Sequence, residues 1–149
     1  MTAAGTRQPA HILSDLVGTC GEAERSFRAA AKRLEDPALR RLLESYAEQR
    51  AAFGRELERE LATLGQVLET PAEPEWADDR RLRKIPEFSP HEGTVIAQCA
   101  LREQASVRAY EEAVAWGLAG QAGAAVERHY LQVKDAREHL LALAQAGAA

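Results

Sequence analysis

At 149 residues the chain suffices for one hydrophobic core and falls short of the ~250 residues at which cores divide, so a single domain over residues 1–149 is expected. Alanine, leucine, glutamate and arginine dominate while aromatic residues are only 5%, which argues against a sheet protein and for an all-α one. A formal charge of -4 leaves no basic footprint for nucleic acid, and no apolar run reaches the ~18 residues of a bilayer span.

The opening stretch MTAAGTRQPAH holds no hydrophobic signal core, so a cytoplasmic protein is expected. Its two cysteines, Cys20 and Cys99, lack CxxC spacing and read as reduced thiols. A first helix is predicted over about 10–34, where Leu13, Leu16, Cys20, Glu24, Phe27, Ala31 and Leu34 recur in steps of three and four. Asp36 can cap a second helix with Pro37 in its first turn. That helix, about 37–65, carries Leu39, Leu43, Tyr46, Arg50, Phe53, Leu57, Leu61 and Leu64 on one face. So short a connection predicts an antiparallel hairpin.

Periodicity fails over about 66–88, a stretch with three prolines and the basic cluster RRLRK at 80–84, read as a solvated crossover. A third helix is predicted over about 90–117, with Ser89 as cap and Glu92 completing a capping box. Its face is Ile96, Cys99, Glu103, Ser106, Tyr110, Ala113 and Leu118. After GLAGQAG comes a fourth helix, about 122–146, with Val126, Tyr130, Val133 or Lys134, Arg137, Leu141 and Ala144 facing inward. Two αα-hairpins joined by a long crossover make a four-helix bundle, whose second and third helices run parallel if the crossover spans its height.

The halves look duplicated: a shift of 79 residues carries Cys20 and Glu24 onto Cys99 and Glu103, and one of 84 carries Tyr46, Arg50 and Leu57 onto Tyr130, Lys134 and Leu141. Carboxylates inside such a bundle suggest a di-iron centre, in which two helices each give a Glu and two give Glu-x-x-His. No Glu-x-x-His occurs, and cations stand at the matching positions: Arg50 on one helix, Lys134 and Arg137 on the other. A buried carboxylate bonded to a buried cation recovers much of its desolvation cost. Glu24 and Glu103 are therefore expected to pair with Arg50 and Lys134, assisted by the hydroxyls of Tyr46 and Tyr130. The expected interior polar layer is Cys20, Glu24, Tyr46, Arg50, Cys99, Glu103, Tyr130, Lys134 and Arg137. An alternative is iron bound by Glu24, Glu103, Glu22 and Glu48. His11, His91, His129 and His139 form no ligand pair among themselves, and Asp135 with His139 reads as a solvated surface pair.

The stretches CGEAERSFRAAAKRLEDPALRRLLESYAEQRAAFGREL at 20–57 and CALREQASVRAYEEA at 99–113 resemble a bacterial family of ferritin-like four-helix-bundle proteins classed as a domain of unknown function. The resemblance spans about residues 10–146 and rests on the DPxL and YxxQRxxF elements more than on a catalytic signature. It implies a fold distantly akin to rubrerythrin and ferritin and a stress context, and puts histidine where this chain has Arg137. The expectation is a cofactor-free, non-enzymatic bundle acting through homo-oligomers or a protein partner; the alternative is an iron-binding or di-iron oxidase protein.

Overall fold

The computed structural model describes residues 8–64 and 91–147. Four helices account for them: α1 (Pro9–Ala31), α2 (Pro37–Thr63), α3 (Glu92–Trp116) and α4 (Gly120–Gly147). The expected crossover, with its RRLRK cluster, and the Ser89 cap fall outside the described residues.

Local chemistry sets the helix ends. Pro9 and Pro37 occupy first-turn positions, where a missing N–H costs nothing. The Asp36 carboxylate accepts from the backbone N–H of Ala38 at 2.8 Å and of Leu39 at 3.3 Å, capping α2. The first helix stops at Ala31, three residues short of the expected end, yet Leu34 stays buried and closes the core after the chain has left the helix. Gly117 (φ 79) and Gly120 (φ 67) take the left-handed conformation that turns α3 into α4, a geometry open to glycine because it has no Cβ. Glu92, expected in a capping box, instead directs Oε2 to the backbone N–H groups of Glu35 and Asp36, at 3.2 and 3.1 Å. It thereby ties the start of α3 to the first hairpin turn.

Each helix packs against two others. The α1 helix touches α2 and α3, and α4 touches α3 and α2, leaving α1–α4 and α2–α3 as the diagonals. Cross-links give the directions. Cys20 meets Tyr110 while residues 35 and 36 meet Glu92, so α1 and α3 are antiparallel. Tyr46 meets His139 while Glu56 meets Arg128, so α2 and α4 are antiparallel, and α2 and α3 point the same way.

The apolar core forms two clusters. One gathers Leu13, Leu16, Phe53, Leu57, Tyr110 and Val126; the other gathers Phe27, Leu43, Ala47, Ile96, Cys99 and Leu140. Fully buried leucines such as Leu13, Leu43 and Leu57 each contribute about 1.5–3 kcal/mol of transfer free energy. The inward faces of α2 and α3 match the expectation closely, whereas α4 is rotated by one residue. Its buried residues are Ala122, Ala125, Val126, His129, Val133, Ala136 and Leu140, while Tyr130, Lys134, Arg137 and Leu141 lie at the rim. Bulky Tyr130 and Leu141 pointed the sequence pattern to the wrong flank, because alanines permit closer helix approach without standing out as apolar.

Candidate functional site

Between the clusters, in sequence and in space, lies an ion pair. Arg50 follows Ala47 and precedes Phe53 on α2, and Glu103 lies between Cys99 and Tyr110 on α3. Arg50 Nη1 donates to Glu103 Oε1 at 2.7 Å, and Nη2 donates to Oε2, a two-pronged contact between side chains 0% and 1% exposed. Because α2 and α3 are diagonal, only long side chains can close the gap. Arg50 Nε donates to Gln49 Oε1 at 3.3 Å, and its guanidinium carbon stands 5.5 Å from the centre of the Phe27 ring, within cation–π range. This is the geometry that makes burial of both charges tolerable.

A second polar feature takes one residue from every helix. Cys20 Sγ lies 3.1 Å from the Tyr110 hydroxyl, that hydroxyl lies 3.1 Å from His129 Nδ1, and His129 Nε2 lies 2.7 Å from Glu56 Oε1. Arg128 forks onto Glu56 from outside, at 3.2 and 2.6 Å. The proton positions follow from the chemistry. The hydrogen bond from Arg128 holds the Glu56 carboxyl down to about 2, so at neutral pH it can only accept and His129 Nε2 must donate. Burial pushes the His129 imidazolium below its ordinary range, against the opposing pull of Glu56, so the ring is neutral and Nδ1 accepts from Tyr110. The Tyr110 oxygen is then free to accept from the Cys20 thiol. Phe53 stacks on the imidazole with ring centres 3.8 Å apart and planes 11° from parallel, fixing its orientation.

Not every expected member of the layer is there. Glu24 is corrected: it sits at the helix edge and accepts from Arg28 Nε at 3.1 Å, one turn along its own helix. The face of α1 passes from Cys20 to Phe27, leaving a long side chain at 24 free to reach the rim. Lys134 pairs with neither glutamate; its ammonium stands 5.2 Å from the Tyr130 ring centre. Tyr130 donates to Glu111 at 3.3 Å, and Tyr46 bonds His139 Nδ1 at 3.1 Å, so the two hydroxyls serve the surface. Arg137 is half-buried, and its Nε has no hydrogen-bond partner among the described residues. Cys99 is buried in the second cluster, where desolvation pushes its thiol to about 12; burial also raises Cys20.

Sequence reasoning missed His129 and Glu56. His129 is fully buried, and its signal was its spacing, three residues after Val126 and four before Val133. Glu22 and Glu48 are exposed, and among the described residues no group of three or more His, Cys, Asp or Glu side chains converges to hold a metal ion. Nor is any helix among them long and apolar enough to cross a membrane.

Residues 8–115 match a family described as "Domain of unknown function (DUF2383)". The chain belongs to this family. The DUF2383 match takes in Cys20, Arg50, Glu56, Glu103 and Tyr110 and stops within α3, so His129 and Arg137 on α4 lie beyond it. It is shorter than the 10–146 over which the resemblance was expected to run. No curated protein matches the chain.

Chemically, the DUF2383 chain presents a thiol, a phenol, an imidazole and a carboxylate in series, but activating a thiol requires the imidazole to bond it directly, and here the Tyr110 phenol stands between them. Burial argues for structure instead: Cys20 is 1% exposed and raised in pKa, leaving it a packed neutral thiol. The series acts as a pin through all four helices.

Proposed function

We propose that the chain is a non-enzymatic, metal-free bundle of ferritin-like type that works by self-association. The observation that carries this reading is the Arg50–Glu103 pair. In a di-iron bundle the interior carboxylates converge on metal, whereas the one fully buried glutamate among the described residues has both oxygens committed to a guanidinium. A divalent ion at Glu103 would also face the positive charge of Arg50. The other acids considered for iron do not fit: Glu22 and Glu48 are exposed, and Glu24 is bonded to Arg28.

The ferritin-like assignment is supported by helix direction. The α2 and α3 helices run the same way, so the end of α2 and the start of α3 lie at opposite ends of the bundle, as in long-crossover bundles. Two buried free thiols suit a reducing compartment, hence the cytoplasm.

Elemental analysis of protein purified from iron-supplemented cells tests the metal-free reading. Iron well below one atom per chain is expected; stoichiometric iron that survives gel filtration and is lost in Glu103→Gln overturns it. Sedimentation equilibrium tests self-association, which a monomer at every concentration would overturn.

A further inference from the structure

The hydrogen bonds between Cys20 and Glu56 share one direction. Glu56 ends the series with a carboxylate that accepts, so at neutral pH His129 Nε2, the Tyr110 hydroxyl and the Cys20 thiol each donate toward it, across 2.7, 3.1 and 3.1 Å. Tyr110 and His129 are fully buried, and among the described residues their polar atoms meet only each other, Cys20 and Glu56. With Nε2 already protonated, the one lone pair of the imidazole that can take a proton is that of Nδ1, which Tyr110 occupies.

A proton on Nδ1 makes the ring a donor at both ends. Tyr110 must then accept from it, and the hydroxyl hydrogen is left with Cys20 Sγ as its partner, so the thiol has to stop donating to Tyr110. The groups around His129 allow this charge. Glu56 on α2 attracts it at 2.7 Å; Arg50 on α2 and Arg128 on α4 oppose it; Phe53 on α2 covers the ring face; Tyr110 on α3 and Cys20 on α1 are neutral. Arg50 is matched by Glu103 and Arg128 by Glu56, so the added charge turns an existing bond to Glu56 into an ion pair. Burial holds the change below the ordinary histidine range. We propose that the series is a reversible acid switch, in which protonation of His129 on α4 turns the Tyr110 hydroxyl toward Cys20 and changes the thiol on α1 from donor to acceptor. Helices α1 and α4 are diagonal in the bundle, and Tyr110 of α3 passes the change between them.

The test is a pH series on the full chain that follows the imidazole nitrogen resonances of His129 by NMR, the S–H stretching bands of both cysteines by infrared difference spectroscopy, and helicity by circular dichroism. Cys20→Ala assigns the Cys20 band, and Cys99, buried in the other apolar cluster, is the internal reference. The expected result is a bare Nδ1 at neutral pH, a Cys20 band that shifts with the same midpoint as Nδ1 protonation, and a Cys99 band that stays in place. In Tyr110→Phe the Cys20 band should lose its pH dependence while His129 still titrates. A Cys20 band indifferent to His129, a Cys20 shift that persists in Tyr110→Phe, or an Nδ1 already protonated at neutral pH overturns the proposal. Loss of helicity before His129 takes up its proton overturns it too. Should Tyr110→Phe fail to fold, the wild-type contrast between Cys20 and Cys99 decides by itself.

Discussion

Arg50 on α2 and Glu103 on α3 meet across the diagonal of the bundle, joining helices that make no close backbone contact with each other. Their pair separates the two apolar clusters and sets the height at which the hairpins pack. The net stability such a pair adds is small, because desolvation offsets most of the attraction.

Removing one partner is therefore expected to be far worse than removing both. Arg50→Leu strands Glu103 in the core and should destabilise by about 3–5 kcal/mol. The double variant Arg50→Met with Glu103→Leu should recover most of that loss. Denaturant midpoints of the singles and the double check this, and a loss below ~0.5 kcal/mol in Arg50→Leu would contradict the burial seen here.

Stability should fall with acid in two stages. His129 has a lowered pKa in the folded state, so on acidification below its ordinary 6.5 the unfolded chain takes up a proton that the folded chain resists, and stability declines from that pH downward. Glu56 is also lowered, from 4.5 to about 2, so its contribution is present above 4.5 and is lost as pH falls through that window. Denaturant midpoints against pH should show both declines, and His129→Gln should abolish the upper one while keeping the larger part of the lower one, whose chief cause is the hydrogen bond from Arg128.

Both thiols should be silent in the native state. Cys20 and Cys99 are 1% and 2% exposed and raised in pKa by burial. At neutral pH a thiol-reactive chromogenic disulfide should titrate close to none of them in folded protein and both in denaturant. Rapid labelling of either without denaturant would contradict the packing.

Two glycines should respond oppositely to alanine. A Cβ on Gly54 would meet Cys20 Cβ at 3.8 Å, an ordinary contact inside a helix, so Gly54→Ala should raise stability by about 0.5–1 kcal/mol. At Gly123 a Cβ would fall 2.0 Å from the Leu118 carbonyl oxygen, so Gly123→Ala must displace the α3–α4 turn and should destabilise. Thermal unfolding of the two variants checks the contrast.

Arg50, Glu103 and both cysteines were legible as interior residues because each sits in phase with leucines and aromatics along its own helix. Glu24 and Lys134 show the limit of that argument. Glu24 has the same Cys-x-x-x-Glu setting as Glu103, yet Arg28 on its own helix competes for it, and one guanidinium can fork onto only one carboxylate. Lys134 stands beside buried Val133, and a single residue turns a side chain by about 100°, enough to carry it from core to rim.

Capping, turn and periodicity are local properties, so the chain alone determined four helices, two hairpins and the inward faces of α2 and α3. The partner of Arg50 and the series from Cys20 through Tyr110 and His129 to Glu56 depend on how the helices are rotated and set in height against one another. Those quantities are settled by packing between residues far apart in sequence, 90 in the case of Cys20 and Tyr110, and only the assembled bundle decided them.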